Sequence, residues 1–353
     1  MLPNQISDNK HSLPSSELKQ KVKNFKQRPT KLVDFKNLQK LSKELKNQGK
    51  KVVFTTGSFD LLNPGHCRYL SEAKAHGDVL VVGVSSDTTV SQKRGPDFPL
   101  IRENVMAELL SHLRSVDYIT ITDTNKPHAI LFLLQPNIFF TNETSWENGG
   151  HDEQEKYIVD TYGGKIIVHK TQKPYMGTSL LVEHIADIRV MQILESYLKE
   201  KLGNFYLNIE KIFKPADYGK QKPTNKNAFD PNSVIVSFNN LEKLGKELKK
   251  MKKKVVFVSG SYDLLHVGHA RFIEQAAILG DVLVVGIPSD KSLRVTKGIG
   301  RPIISELSRA KVLGHLDTVD YVTVFNDRTV LNSLKSLKPD IFFTVDEEWN
   351  NGY

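Results

Sequence analysis

A run of sixteen residues returns 203 positions later, and that repetition limits what this chain can be. Lys51-Val-Val-Phe-Thr-Thr-Gly-Ser-Phe-Asp-Leu-Leu-Asn-Pro-Gly-His66 comes back as Lys254-Val-Val-Phe-Val-Ser-Gly-Ser-Tyr-Asp-Leu-Leu-His-Val-Gly-His269. The register holds without a gap from Val33/Val236 to Gly150/Tyr353, and from Lys51 onward close to half of the paired positions are identical. Solenoid units run to about 20–50 residues, so a period this long marks a duplicated domain instead. A chain of 353 residues gives each copy enough length to bury its own core.

Copy one runs on past the paired region, through Gly163-Gly-Lys-Ile-Ile-Val-His169 and a helical pattern from Ser179 to about Leu202. Copy two stops at Tyr353, where that continuation would begin. The second domain therefore reads as truncated at its C-terminal end, and an end inside a well-paired stretch favours a longer natural chain. The expected layout is a basic, disordered tail at 1–32, a first domain at 33–202, a linker at 203–233 and a second domain at 234–353. Pro215, Pro223 and Pro231 among Lys and Asn mark the linker.

Lys and Arg number 49 against 40 Asp and Glu, a net charge of +9. Most of that excess lies in the tail and linker, which favours solvated segments over a nucleic-acid partner. The single cysteine, Cys67, excludes an internal disulfide framework and a Cys-rich zinc site. No apolar run reaches the roughly 18 residues of a membrane span, and the N-terminus lacks a signal-peptide core. The expectation is a cytoplasmic protein with no metal site of its own.

Within each copy the pattern is α/β. Leu38, Leu41 and Leu45, matched by Leu241, Leu244 and Leu248, sit at helical spacing. Short apolar runs at 52–54 and 255–258 suit buried parallel strands. A Gly-containing turn follows, then a helix from His66 or His269, and a second strand at 79–84 or 282–287. Two further strands are expected at 118–121 and 138–140, with counterparts at 321–324 and 341–343. This is a βαβ start to a Rossmann-like, doubly wound parallel sheet, present twice.

Such sheets bind ligands at the carboxyl ends of their strands, where the first βα turn commonly meets phosphate. In copy two that turn reads Gly260-Ser-Tyr-Asp-Leu-Leu-His266-Val-Gly-His269. A helix N-terminus offers free N–H groups and partial positive charge to an anion. Gly268 permits close backbone approach, and the two imidazoles can donate to one polyphosphate. Asp263 is expected to order the turn. Asp87 and Asp290, each following a second strand, suit either nucleotide or a loop amide.

The His-x-Gly-His element in this setting resembles the cytidylyltransferase-like branch of the nucleotidyltransferase superfamily. Copy two is most similar to the adenylyltransferase domain of bacterial ADP-heptose synthases, through Lys297-Gly-Ile-Gly-Arg-Pro-Ile303, Glu306-Leu-Ser-Arg309-Ala and Val319-Asp-Tyr-Val322. The tandem layout instead resembles ethanolamine-phosphate cytidylyltransferases. The resemblance implies transfer of a nucleotidyl group from a triphosphate to a small phosphorylated metabolite, with Mg²⁺ on the triphosphate and release of pyrophosphate. It implies ATP with a sugar phosphate, or alternatively CTP with an alcohol phosphate such as phosphoethanolamine. It assigns His266 and His269 to the β/γ-phosphates, Lys297 to the transferred group and Arg309 to a bidentate phosphate clamp. Gly260, Ser261, Tyr262, Gly268 and Asp290 are the expected nucleotide contacts. Because relatives pair as dimers, the two copies are expected to form an intramolecular pseudo-dimer.

Copy one departs from this pattern. Gly57 and His66 remain, but Asn63 replaces the first His, Arg94 stands for Lys297, Phe98 for Arg301 and Met106 for Arg309. Its site is expected to be weakened or inactive. It retains Tyr175-Met-Gly-Thr178-Ser179, a partial match to the family's Gly-x-Ser-Thr-Thr element, whose hydroxyls would meet the triphosphate. Trp146 and Trp349 pair across the copies as loop or substrate contacts, while His112 and His315 suit packing. A catalytically decayed nucleotide-binding regulator is the alternative of a different class.

Overall fold

The computed structural model describes residues 30–123, 127–142, 153–170, 178–202, 224–298, 300–327 and 329–344. Most of the expected tail and of the linker, together with Tyr175, Trp146 and Trp349, lie outside the described residues. So do the side chains of Thr178 and Ser179.

In copy one the strands are β1 (Val52–Gly57), β2 (Val79–Ser85), β3 (Tyr118–Thr122), β4 (Ile138–Asn142) and β5 (Lys165–His169). They are all parallel, in the order β3-β2-β1-β4-β5. Copy two has β6 (Ile235–Val236), β7 (Val255–Ser259), β8 (Val282–Pro288), β9 (Tyr321–Phe325) and β10 (Ile341–Phe343), in the order β10-β7-β8-β9-β6. The reversal beside β1 and beside β7 is the switch point where such sheets open a crevice. The edge strand β6 was not anticipated. It pairs Ile235 with Val322 in β9, and copy one repeats this as a single bridge between Leu32 and Ile119.

Helices cover both faces because the central strands are apolar on both sides. On one face, Leu38, Leu41 and Leu45 bury against Phe54, Val81, Leu131 and Phe139. In copy two, Leu241, Leu244 and Leu248 do the same against Phe257, Val284 and Leu337. On the other face the helices Pro64–Lys74 and Val267–Ala277 join with Glu103–Ser111 and Glu306–Gly314 into one apolar cluster that draws residues from both copies. Cys67 is wholly buried within it, as its size suggests. Asp78 and Asp281 hold the turns before the second strands by accepting from the Lys51 and Lys254 amides.

Backbone hydrogen bonds join the copies where equivalent residues meet. The Arg114 amide donates to the His315 carbonyl at 3.0 Å, and the Asp317 amide donates to the His112 carbonyl at 2.9 Å. Arg271 forks onto Glu108 at 2.5 and 2.6 Å. The segment expected as a plain linker is docked from 224 onward. Thr224 donates through its amide and hydroxyl to Glu72, and the Phe229 ring covers the Arg114 guanidinium at 4.3 Å. Composition registers the prolines and lysines of this stretch but not the aromatic anchor that seats it.

Candidate functional site

The turn after β7 carries most of the expected site. Asp263 lies beneath it, accepting from the Ile303 and Ile304 amides at 2.8 and 3.0 Å and pairing with Arg301 at 2.7 Å. It orders the turn, as expected, and ties it to the loop that follows Lys297. In copy one Asp60 does the same for the Leu100 and Ile101 amides, but Phe98 leaves it without the arginine.

His266 is the N-cap of the helix Val267–Ala277: its Nδ1 accepts from the His269 amide at 3.4 Å. That places the remaining N–H on Nε2, pointing away from the helix. The two imidazoles stack with centroids 3.7 Å apart, and His266 is exposed. Gly268 makes this possible, because a Cβ there would stand 3.0 Å from the imidazole atoms of His266. Burial, then the charge of His266, pushes His269 down to about 4, so it is neutral near pH 7. Stacked imidazoles at a helix N-terminus offer N–H donors to an anion.

Three expected contacts are placed differently. Arg309 is buried and donates to the carbonyls of Ile304, Ser261 and Pro288 at 2.8–3.0 Å and to Asp290 at 2.9 Å. Four of its five N–H groups are thereby engaged, and it braces the turn from behind. Tyr262 is buried with a left-handed φ of 44° and meets His269 edge-on at 5.1 Å, supporting that ring instead of facing a nucleotide. Asp290 takes the Arg309 guanidinium and donates its amide to Glu306, with burial pushing its carboxyl up against the pull of that arginine. Ser261 presents its carbonyl to Arg309, and Gly260 follows β7, its amide donating to the Gly286 carbonyl. Lys297 closes the helix Asp290–Lys297 and is exposed, as is Arg301.

Copy one keeps the frame and carries different side chains on it. Asn63 caps its helix through Oδ1, accepting from the His66 amide at 3.1 Å. The amide thus replaces the capping function of His266 but brings no imidazole. Gly57 ends β1, and Leu61 takes a left-handed φ of 52° in the turn beyond it, which its counterpart Leu264 does not. His66 is pushed down to about 4 by burial and by Arg94. Arg94 itself lies over the Phe98 ring at 5.1 Å. Met106 sits in the apolar cluster where Arg309 braces copy two. Asp87 accepts from the Glu103 amide, resolving the choice between nucleotide and loop amide in favour of the loop. His112 and His315 are buried at the junction of the copies, His112 against Glu274 at 3.4 Å.

Parallel sheets with a helix N-terminus facing the switch point after the first strand define an α/β protein of the Rossmann-like class. The cytidylyltransferase-like family matches residues 54–214 and 257–350, and the chain belongs to that family. Among similar proteins are "Bifunctional protein HldE" of Helicobacter pylori, 48% identical over 101 residues, and its namesake in Aliarcobacter butzleri, 42% identical over 110. These cover 29% and 31% of this chain and 22% and 23% of the relatives, so the matched stretch spans under a quarter of their length. A lipopolysaccharide core biosynthesis protein from Thermoplasma volcanium is 28% identical over 36% of this chain and all of that one, with a TM-score of 0.30. The superfamily and the likeness to ADP-heptose synthases stand as the sequence suggested.

Proposed function

We propose that the protein is a nucleotidyltransferase whose working site is in copy two. A phosphate oxygen of a small phosphorylated metabolite attacks the α-phosphorus of a nucleoside triphosphate. The α–β P–O bond breaks, and pyrophosphate carries away the electron pair. The attacking oxygen is already anionic near neutral pH, so positioning and charge stabilisation suffice. His266 and His269 donate to the β/γ-phosphates, Lys297 and Arg301 approach the transferred group, and Arg309 holds the turn from behind. Mg²⁺ arrives with the triphosphate. Among the described residues no group of three His, Cys, Asp or Glu could hold it alone.

The observation that carries this reading is the contrast between the copies. One helix N-terminus bears two stacked histidines, the first of them exposed, and the other an asparagine with a single histidine. ATP with a sugar phosphate is favoured by copy two's likeness to the HldE proteins. CTP with an alcohol phosphate is the second reading, favoured by the tandem arrangement. The hydrogen-bonded junction supports an intramolecular pseudo-dimer of domains 33–202 and 234–353. No helix among the described residues is long and apolar enough to cross a membrane, which agrees with a cytoplasmic setting.

Pyrophosphate release from a panel of triphosphates and phosphorylated acceptors tests the reading. Turnover abolished by His266→Ala or His269→Ala, yet retained in His66→Ala, is the expected result. Absence of turnover across the panel overturns it in favour of a nucleotide-binding regulator.

A further inference from the structure

The loop after Lys297 is held in copy two by something its counterpart in copy one lacks. In both copies a buried aspartate holds the loop from below, through the Ile303 and Ile304 amides or those of Leu100 and Ile101. Above it the copies diverge. Ile303 and Ile304 are 4% and 3% exposed, whereas Leu100, the partner of Ile303 in the repeat, is 47% exposed.

The cover comes from copy one. Its helix Thr178–Leu202 sends Leu181, Ile185 and Ile188 into a cluster with Ile303, Ile304 and Leu264 of copy two and Leu61 of copy one. The same helix face meets Gly300. A Cβ there would collide with Ile188 Cγ2 and come within 3.1 Å of the Gln192 amide nitrogen. Copy one has Asp97 at that position, so its own loop could not admit the helix in this way. Gly298 and Gly300 have φ of +87° and +83°, and glycine adds no side-chain restraint at either position. A loop of that kind needs an outside contact to hold two cations in one arrangement.

We propose that the helix Thr178–Leu202 of copy one is a positioning element for the copy-two site. Ile188 and Gln192 hold the 298–304 loop, and with it Lys297 and Arg301, in the arrangement that receives phosphate. This rests on the reading of copy two as the working site. It gives the degenerate copy a role that needs no chemistry of its own.

Ile188→Ala and Ile188→Val in the full chain test it, the valine variant retaining the methyl that meets Gly300. Amide exchange at 298–305 is expected to quicken about tenfold in Ile188→Ala, with β7 unchanged and MgATP affinity three- to tenfold weaker. Ile188→Val is expected to stay within twofold of the parent in both. Unchanged exchange in the loop overturns the proposal, as does quickening spread equally into β7 or unchanged MgATP affinity despite a loosened loop. If the parent binds neither MgATP nor MgCTP while the loop alone responds to Ile188→Ala, the brace stands and the nucleotidyltransferase reading falls.

Discussion

Leu113 and Leu316 form an antiparallel bridge, and they are the same residue of the repeat, 203 positions apart. Two equivalent residues can pair this way only where a local two-fold axis passes between them. Around that axis, Arg114 and Asp317, again equivalents, each donate an amide to the other copy. The side chains break the symmetry. Arg114 donates to the Leu316 and Val319 carbonyls at 2.8 Å and lies under Phe229, which Asp317 cannot match.

Arg114→Met should therefore loosen the junction while keeping its apolar stem. Two hydrogen bonds from a charged group and one cation–π contact together suggest about 2–4 kcal/mol. Urea unfolding followed by fluorescence is expected to show either a lower midpoint or two separated transitions. An unchanged single transition would show that the copies hold together without this arginine.

Arg309 is expected to resist even a conservative change. Its fork satisfies three carbonyls and the Asp290 carboxylate at once, which an ammonium on a flexible stem does not reproduce. Arg309→Lys should cost about 2–4 kcal/mol, since buried acceptors are left unpaired. Turnover should fall with it, because the Ser261 carbonyl anchors the turn. Retained stability with lost turnover would instead return Arg309 to the phosphate.

Much of this architecture was legible in the sequence because repetition and apolar runs report directly on strands and packed helices. Every expected strand forms, as do the helices bearing Leu41 and Leu244. The histidine turn was legible too, since its chemistry is local. What escaped was non-local. Nothing in the residue type of Arg309 distinguishes a cation aimed at phosphate from one aimed at three carbonyls. Likewise Ile188 is one of many apolar residues on its helix, several of them exposed, and only the fold sets it against a glycine more than a hundred residues away. The one available signal was the exchange of Asp97 for Gly300 between otherwise matched loops.

Gly268→Ala separates stability from binding. In the first turn of a helix alanine is preferred over glycine by up to about 1 kcal/mol, so the variant should be as stable as the parent or slightly more so. Its methyl group meets the His266 ring at 3.0 Å and should tilt it off His269. Weaker MgATP binding with an undiminished melting temperature is the expected pair of results, measured by calorimetry and thermal unfolding. Full affinity would mean that the stacked geometry is dispensable.

Acid should destabilise the fold before its carboxylates titrate. Burial, as the leading cause, pushes His66 and His269 down to about 4 and His315 to about 3, with nearby Arg94, His266 and Arg114 acting in the same direction. The unfolded chain, whose histidines titrate near 6.5, binds these protons first as pH falls. Stability is therefore full above pH 6.5 and declines from there towards pH 4. For the most enclosed of them the loss between pH 6.5 and 5 is on the order of 2 kcal/mol. Urea midpoints at pH 7 and pH 5.2 should show the drop, and His66→Gln should reduce it. Equal midpoints at the two pH values would mean that these imidazoles titrate in the native protein as they do in the unfolded chain.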